Sequence, residues 1–309
     1  MIKHGAFLLK KHKFPKSIAF LLFSIFVLAA CKSVPQASNR KVKAIELLDT
    51  ESSFYVAIPR QADSELIDRI IKGNVQNISE SDANLISNHI EKVYCGLNRH
   101  KNTTEIQCAV DTASIPVKLV PSILSQKKGW IHLPYKVDGS QKQFLVFDYN
   151  GLQMLFPSQN LFCLGRGLDY MIQKYDSISS LPAEDDSKCY EIPDDLYDYL
   201  EAAHNDIRFY ANKPQSFLTI LTGTQLNLNL TDVRGSFVID QLHPSQYILK
   251  LHFRFKSEKM LKAGKTLLIL AFGLTDSQAS VAEGEQGSNE LIIQGIKLDK
   301  QQLYKLLVL

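Results

Sequence analysis

The 309 residues contain no glycine-lysine phosphate loop, no Gly-x-Gly-x-x-Gly after a strand, no Gly-x-Ser-x-Gly elbow and no His-Glu-x-x-His pair. These absences remove the commonest sequence routes to nucleotide binding, serine hydrolysis and zinc proteolysis. None of the five cysteines falls in a Cys-x-x-Cys pair, and no histidine sits at matching spacing, so neither a metal nor a cofactor is expected. Ser, His and carboxylate residues can be assembled in any chain of this size, so their presence nominates no catalytic set. The acidic run Glu184-Asp185-Asp186 reads as a solvated loop. Acidic residues are also missing from the first thirty positions, which carry Lys3, Lys10, Lys11, Lys13 and Lys16.

That basic tail is followed by an apolar run, Ile18 to Leu28, of about eleven residues. The run is short of the roughly 20 residues a membrane-crossing helix needs, and suits the core of an export signal. It ends in Leu28-Ala29-Ala30-Cys31, which resembles the bacterial lipobox: a small pair fits the peptidase cleft, and the cysteine becomes the acylated N-terminus. Residues 1–30 are therefore expected to leave as a lipoprotein signal peptide, with Cys31 as the lipidation site. Lys32 gives no instruction to stay at the inner membrane. Removing the signal leaves 30 basic against 32 acidic residues, so the mature chain is close to neutral. A nucleic-acid partner, which needs a basic surface, is not expected.

The polar stretch "KSVPQASNRKVK" has no apolar period, and residues 31–43 read as a lipidated tether. Four cysteines remain beyond it. "KVYCGLNRH" and "TEIQCAVD" read as strands joined by a four-residue loop, His100 to Thr103. In that register Arg99 faces Thr104 and Cys95 faces Cys108. A disulfide and two free core thiols both fit that pairing. Cys163 and Cys189 form a second candidate pair.

Phe54 to Ile58 reads as a strand ending at Pro59. A helix capped by Asp63 or Ser64 follows, with Leu66, Ile67, Ile70 and Ile71 on its apolar side. A second helix takes Ile78, Leu85, Ile86, Ile90 and Val93 as its stripe. A third, Ser114 to Lys128, starts by Pro116 and carries Val117, Val120, Ile123 and Leu124. Trp130 then opens three short strands whose Asp138-Gly139 and Asn150-Gly151 turns predict an antiparallel meander. "FCLGRGLDYMIQKYDSI" reads as a helix or helix-loop, and "SSLPAEDDSK" as the boundary between halves. After a helix at "IPDDLYDYLEAA", "DIRFYANKP" echoes "SSFYVAIP". The order strand, turn, strand, amphipathic helix then recurs, with Met260, Leu261, Leu267 and Leu268 on the helix, which predicts an internal duplication. "SQASVAEGEQGSNE" reads as a loop, and a strand and a helix capped by Asp299 close the chain. The fold class expected is α+β: two related lobes, 44–180 and 190–309, each a small antiparallel sheet packed against amphipathic helices on one side.

The lipobox, the "FYVAIP" strand, "EKVYCGLNR", the proline-led helix ending in Gly129-Trp130 and the second-half echo together resemble the treponemal (spirochaetal) outer-membrane-associated lipoproteins built from tandem α/β repeats. That resemblance implies association with the inner leaflet of the outer membrane and insertion of amphipathic helices into lipid. It makes the helices at 114–128 and 257–274 candidates for membrane contact, through Val117, Val120, Ile123, Leu124, Trp130, Met260, Leu261, Leu267 and Leu268. Pro121 and the missing second-half counterpart of the 79–93 helix depart from the pattern. The residues alone also fit helices packed on the sheets, and a helix apolar all round fits a buried one. The reading is a non-enzymatic, lipid-anchored envelope protein whose partner is membrane lipid. The alternatives are a lipoprotein holding an apolar ligand in a groove between lobes, and an envelope hydrolase.

Overall fold

The computed structural model describes residues 39–99, 104–185, 187–222, 225–273, 279–285 and 287–307. Cys31 and the signal lie outside them. The described chain is α+β, but its strands form one sheet of twelve rather than two small ones. They are β1 (Phe54–Pro59), β2 (Ile90–Arg99), β3 (Thr104–Thr112), β4 (Ile131–Lys136), β5 (Gln143–Tyr149), β6 (Leu152–Ser158), β7 (Leu161–Gly165), β8 (Ile207–Ala211), β9 (Leu230–Ile239), β10 (Gln246–Phe255), β11 (Ser280–Glu283) and β12 (Glu290–Asp299). Every pairing is antiparallel, in the order β11-β12-β10-β9-β8-β1-β2-β3-β7-β6-β5-β4. The two halves of the chain meet at β1 and β8, where Tyr55 pairs with Tyr210 and Val56 with Phe209.

Seven helices of eight or more residues accompany the sheet: α1 (Ser64–Asn74), α2 (Glu80–Asn88), α3 (Asp169–Ile178), α4 (Asp194–Glu201), α5 (Pro214–Thr222), α6 (Glu258–Ala271) and α7 (Lys300–Leu307). Their starts follow local chemistry. Asp63 Oδ1 accepts from Leu66 N at 3.0 Å to cap α1, and Ser79 Oγ accepts from Asp82 N at 3.1 Å to cap α2. Proline opens α5, where its missing N–H would have no helical partner. Helices cover both faces, not one. α1, α2, α5, α6 and α7 bury Leu66, Ile70, Ile86, Phe217, Leu261, Leu268 and Leu303 on the face that carries Cys95 and Cys108. The 3₁₀ turn Ala44–Leu47, α3 and α4 bury Ile45, Met171, Ile172, Leu196 and Leu200 on the other.

Four local expectations are revised. The second helix stops at Asn88, and Ile90 to Val93 belong to β2. The 114–128 helix is broken into a 3₁₀ turn Val117–Leu119, one α turn Val120–Ile123 and a 3₁₀ turn Gln126–Lys128. Proline is tolerated only in the first turn of a helix, so Pro121 forces a restart at Val120. "FCLG" belongs to β7, whose five residues Leu161 to Gly165 are all buried. A strand covered on both faces loses its alternation and reads like a buried helix. Within "SQASVAEGEQGSNE", Ser280 to Glu283 pair with β12 as an edge strand.

Candidate lipid-contact surfaces

Described residues begin at Asn39, and the chain is fastened there at once. Asn39 bridges to Pro182, and Arg40 N donates to Leu181 O at 3.0 Å. The Arg40 guanidinium donates to the buried Glu46 carboxylate at 2.6 Å, to Ser187 O at 2.7 Å and to Cys189 Sγ at 2.9 Å. Residues 39–43, expected as tether, are thus strapped to the loop between α3 and α4. Val42 and Ala44 to Leu48 are buried.

The helix α6 presents two apolar stripes. Leu261, Gly264 and Leu268 face the sheet; a Cβ on Gly264 would sit 2.2 Å from Phe255 Cε1, so the helix lies close against β10. Met260, Leu267 and Leu270 fall on the adjoining side at helical spacing, 38%, 46% and 71% exposed. Lys259 and Lys262 flank them in water. The sequence singled out Met260 and Leu267; Leu270 was missed, though its spacing of three from Leu267 was the available signal. The other predicted contacts are placed differently. Val120, Ile123, Leu124 and Trp130 are buried and Val117 is half-buried, all in the core of the disulfide face. Leu261 and Leu268 are core as well. Among the described residues, no helix is long and apolar enough to cross a membrane.

Among the described residues, one concavity lies in the first half and another at the junction of the halves. A pocket of about 590 Å³ has Val117, Val120, Phe144, Phe147 and Phe156 in its walls, Leu145 (39% exposed) beside them and Asn39 and Arg40 at its rim. It sits where β5 and β6 separate: their pairing stops at Val146 and Leu155, leaving Gln143 to Leu145 bonded only to β4. The rim cations are already engaged, Arg40 as above and Lys142 Nζ with Ser179 Oγ at 2.7 Å and Asp176 Oδ1 at 3.4 Å. The sequence did not mark this pocket, because strand splaying leaves no compositional trace.

A larger groove, about 1230 Å³, runs where the halves meet and is lined by Lys41, Lys43, Arg60, Lys92, Asp111 and Glu201 among others. Several of its charged groups converge on Glu201. Glu201 accepts from Tyr94 OH and pairs with Lys43 at 3.5 Å, while Lys92 Nζ donates to Glu201 O at 2.6 Å. Burial pushes Asp111 up to about 6 and holds Lys92 below the ordinary lysine value. Asp111 Oδ1 accepts from Ala44 N at 3.2 Å and so pins the 3₁₀ turn to β3. This groove between the halves is lined by polar and apolar residues together, and the smaller pocket lies wholly within the first half.

Cys95 and Cys108 are bonded, with S–S 2.06 Å and Cα–Cα 4.1 Å, on directly paired positions of β2 and β3. Cys163 and Cys189 are free thiols rather than a second bridge. Cys163 is buried in β7, where desolvation pushes its thiol up to about 12, and Cys189 lies half-buried beside Arg40.

The family model described as outer membrane-associated lipoprotein TP0453 matches residues 39–304. No curated protein matches the chain. Among solved structures, crystal form I of TP0453 is similar with a TM-score of 0.63 and 18% identity, covering 87% of this chain and 97% of that one. Crystal form III gives 0.60 and 17%, covering 86% and 97%, and form IV gives 0.58 and 16%, covering 87% and 98%. At these identities the likeness speaks to the fold, and the match over 39–304 speaks to descent. The chain belongs to the outer membrane-associated lipoprotein TP0453 family and is a membrane-associated lipoprotein of the cell envelope.

Proposed function

We propose that the protein is a non-enzymatic envelope lipoprotein, held to the periplasmic side of the outer membrane by an acylated Cys31 and touching lipid a second time through α6. The observation that carries this reading is the outer stripe Met260, Leu267 and Leu270, an apolar row left in water beside lysines. Basic residues next to a bulky apolar row suit a helix lying in the headgroup region. The acyl chains on Cys31 supply the anchor, and a contact through α6 would lay the folded domain itself against the bilayer. In the inter-half groove Glu201 is engaged by Tyr94, Lys43 and Lys92, which fits a structural role for these groups. Strands β1, β2, β3 and β7 run outward from one side of the junction and β8, β9, β10 and β12 from the other, which supports an origin by duplication.

The test is flotation of residues 32–309, made without lipid, on anionic vesicles. The domain is expected to float, and Leu267→Glu with Leu270→Glu should abolish flotation while shifting stability by less than about 1 kcal/mol, because both side chains are exposed. A domain that stays at the bottom of the gradient would leave the acyl chains as the sole anchor.

A further inference from the structure

We propose that the apolar pocket between β5 and β6 is the resting place of an acyl chain carried by this protein's own Cys31. The inference rests on the reading of Cys31 as acylated. Val117, Val120, Phe144, Phe147, Leu155 and Phe156 give the pocket an apolar wall, with Gln143, Tyr175 and Ser179 beside it, and the cationic groups at its rim, Arg40 and Lys142, are already paired with Glu46 and Asp176. It therefore offers a tail a home and offers no free charge to a headgroup. Its volume, about 590 Å³, lies within the range of about 300–1,000 Å³ typical of small-molecule sites.

The choice of occupant follows from where the chain enters the fold. Asn39 and Arg40 line the pocket itself, and Arg40 is fixed there by Leu181, Ser187 and Glu46. Cys31 is eight positions upstream, so an acyl chain on it starts no more than about 28 Å away even when the link is fully extended. A link that short gives an effective concentration in the millimolar range. A free lipid would also have to share the mouth with the incoming chain. Leu145, 39% exposed, adds an apolar side chain to the same lining as Phe144 and Phe147. The protein thus has a sheltered form, with one tail in the pocket, and an anchored form, with that tail in the bilayer.

The experiment uses the acylated protein. Cells are fed a diazirine-bearing palmitate analogue, the mature protein is purified, freed of detergent and irradiated, and cross-linked peptides are mapped. The analogue at Cys31 is expected to cross-link within one chain to the peptides carrying Leu145, Phe156 or Val117. Leu145→Arg should lower that product at least five-fold, with Val117→Arg as a second variant should the first fold poorly. An analogue present on Cys31 that cross-links between chains, or only outside the pocket, overturns the docking and leaves the anchor standing. An analogue absent from Cys31, with Cys31→Ala labelled as strongly as the parent, removes the anchor reading and the docking together.

Discussion

Asp111 shows what a single buried carboxyl does to this fold. Its pKa is raised from 3.8 to about 6, first because burial disfavours its charge and then through Glu201, while Ala44 N–H, Lys92 and Lys41 pull it back. A native pKa above the unfolded one means the folded state binds more protons between about pH 4 and 6. Stability therefore falls as pH rises through that window, and levels off above it. Asp111→Asn keeps an oxygen for Ala44 N–H and removes the charge. We expect the variant to be more stable at pH 7 by about 1–2 kcal/mol, after discounting for its partial access to water, and to lose the slope between pH 4 and 6. Urea midpoints measured across that window check both; an unchanged slope would mean that the charge is already solvated. At the same scale, the facing of Cys95 and Cys108 was legible by counting antiparallel register from Arg99 opposite Thr104, while whether they bond was left open by the same count. The fate of Cys163 and Cys189 was not legible, since it depends on which faces β7 and the 187–189 loop present, and no count along the chain gives that.

Among elements, Asp63 acts as a clasp. Its Oδ1 caps α1 in the first half, while Oδ2 accepts from Tyr247 OH of β10 at 2.5 Å and pairs with Lys300 Nζ of α7 at 2.9 Å. All three side chains are buried. Asp63→Ala removes a cap worth about 1 kcal/mol and strands a buried ammonium, so a loss of roughly 3–5 kcal/mol is expected. Asp63→Asn retains the cap and the Tyr247 bond and should cost less. Equal losses in the two variants, read from urea midpoints, would show that the ion pair matters little. The cap was legible from "ADSELI", because Asp63 and Ser64 precede the apolar stripe; the clasp was not, because Lys300 lies more than two hundred residues away. The same contrast divides the helices. The stripe of α1 could be read, whereas the 114–128 stripe broke at Pro121 and sank into the core. In α6 the periodicity identified the apolar sides but could not tell which one meets the sheet; Gly264 against Phe255 decides that.

On the scale of the whole molecule, sequence patterning was right about α+β and about many of the strands and helices, yet it missed β7, β11 and α5 and implied two sheets where there is one. The missing information is the β1–β8 junction, a pairing across about 150 residues between two short strands that each look like the start of a separate unit. Their echo was visible, but an echo shows likeness and not adjacency. The junction is more than a ladder. Phe54 stacks on Phe209 and Phe217 at 5.6 and 5.5 Å, Asn212 Nδ2 donates to Ser52 O at 2.9 Å, and Lys92 reaches Glu201 across the groove. With the Asp63 clasp on the same boundary, unfolding either half would expose an apolar sheet edge and an unpaired buried charge in the other. The halves should therefore unfold together, unlike domains joined by a sparse interface. Trp130, the only tryptophan and buried in the first half, reports that half alone, while amide exchange along β10 reports the second. Both probes are expected to give the same urea midpoint in the parent and in Asp63→Asn. Midpoints that separate in the parent would mean that the shared sheet does not couple the halves; separation only in the variant would locate that coupling in the clasp rather than in the β1–β8 ladder.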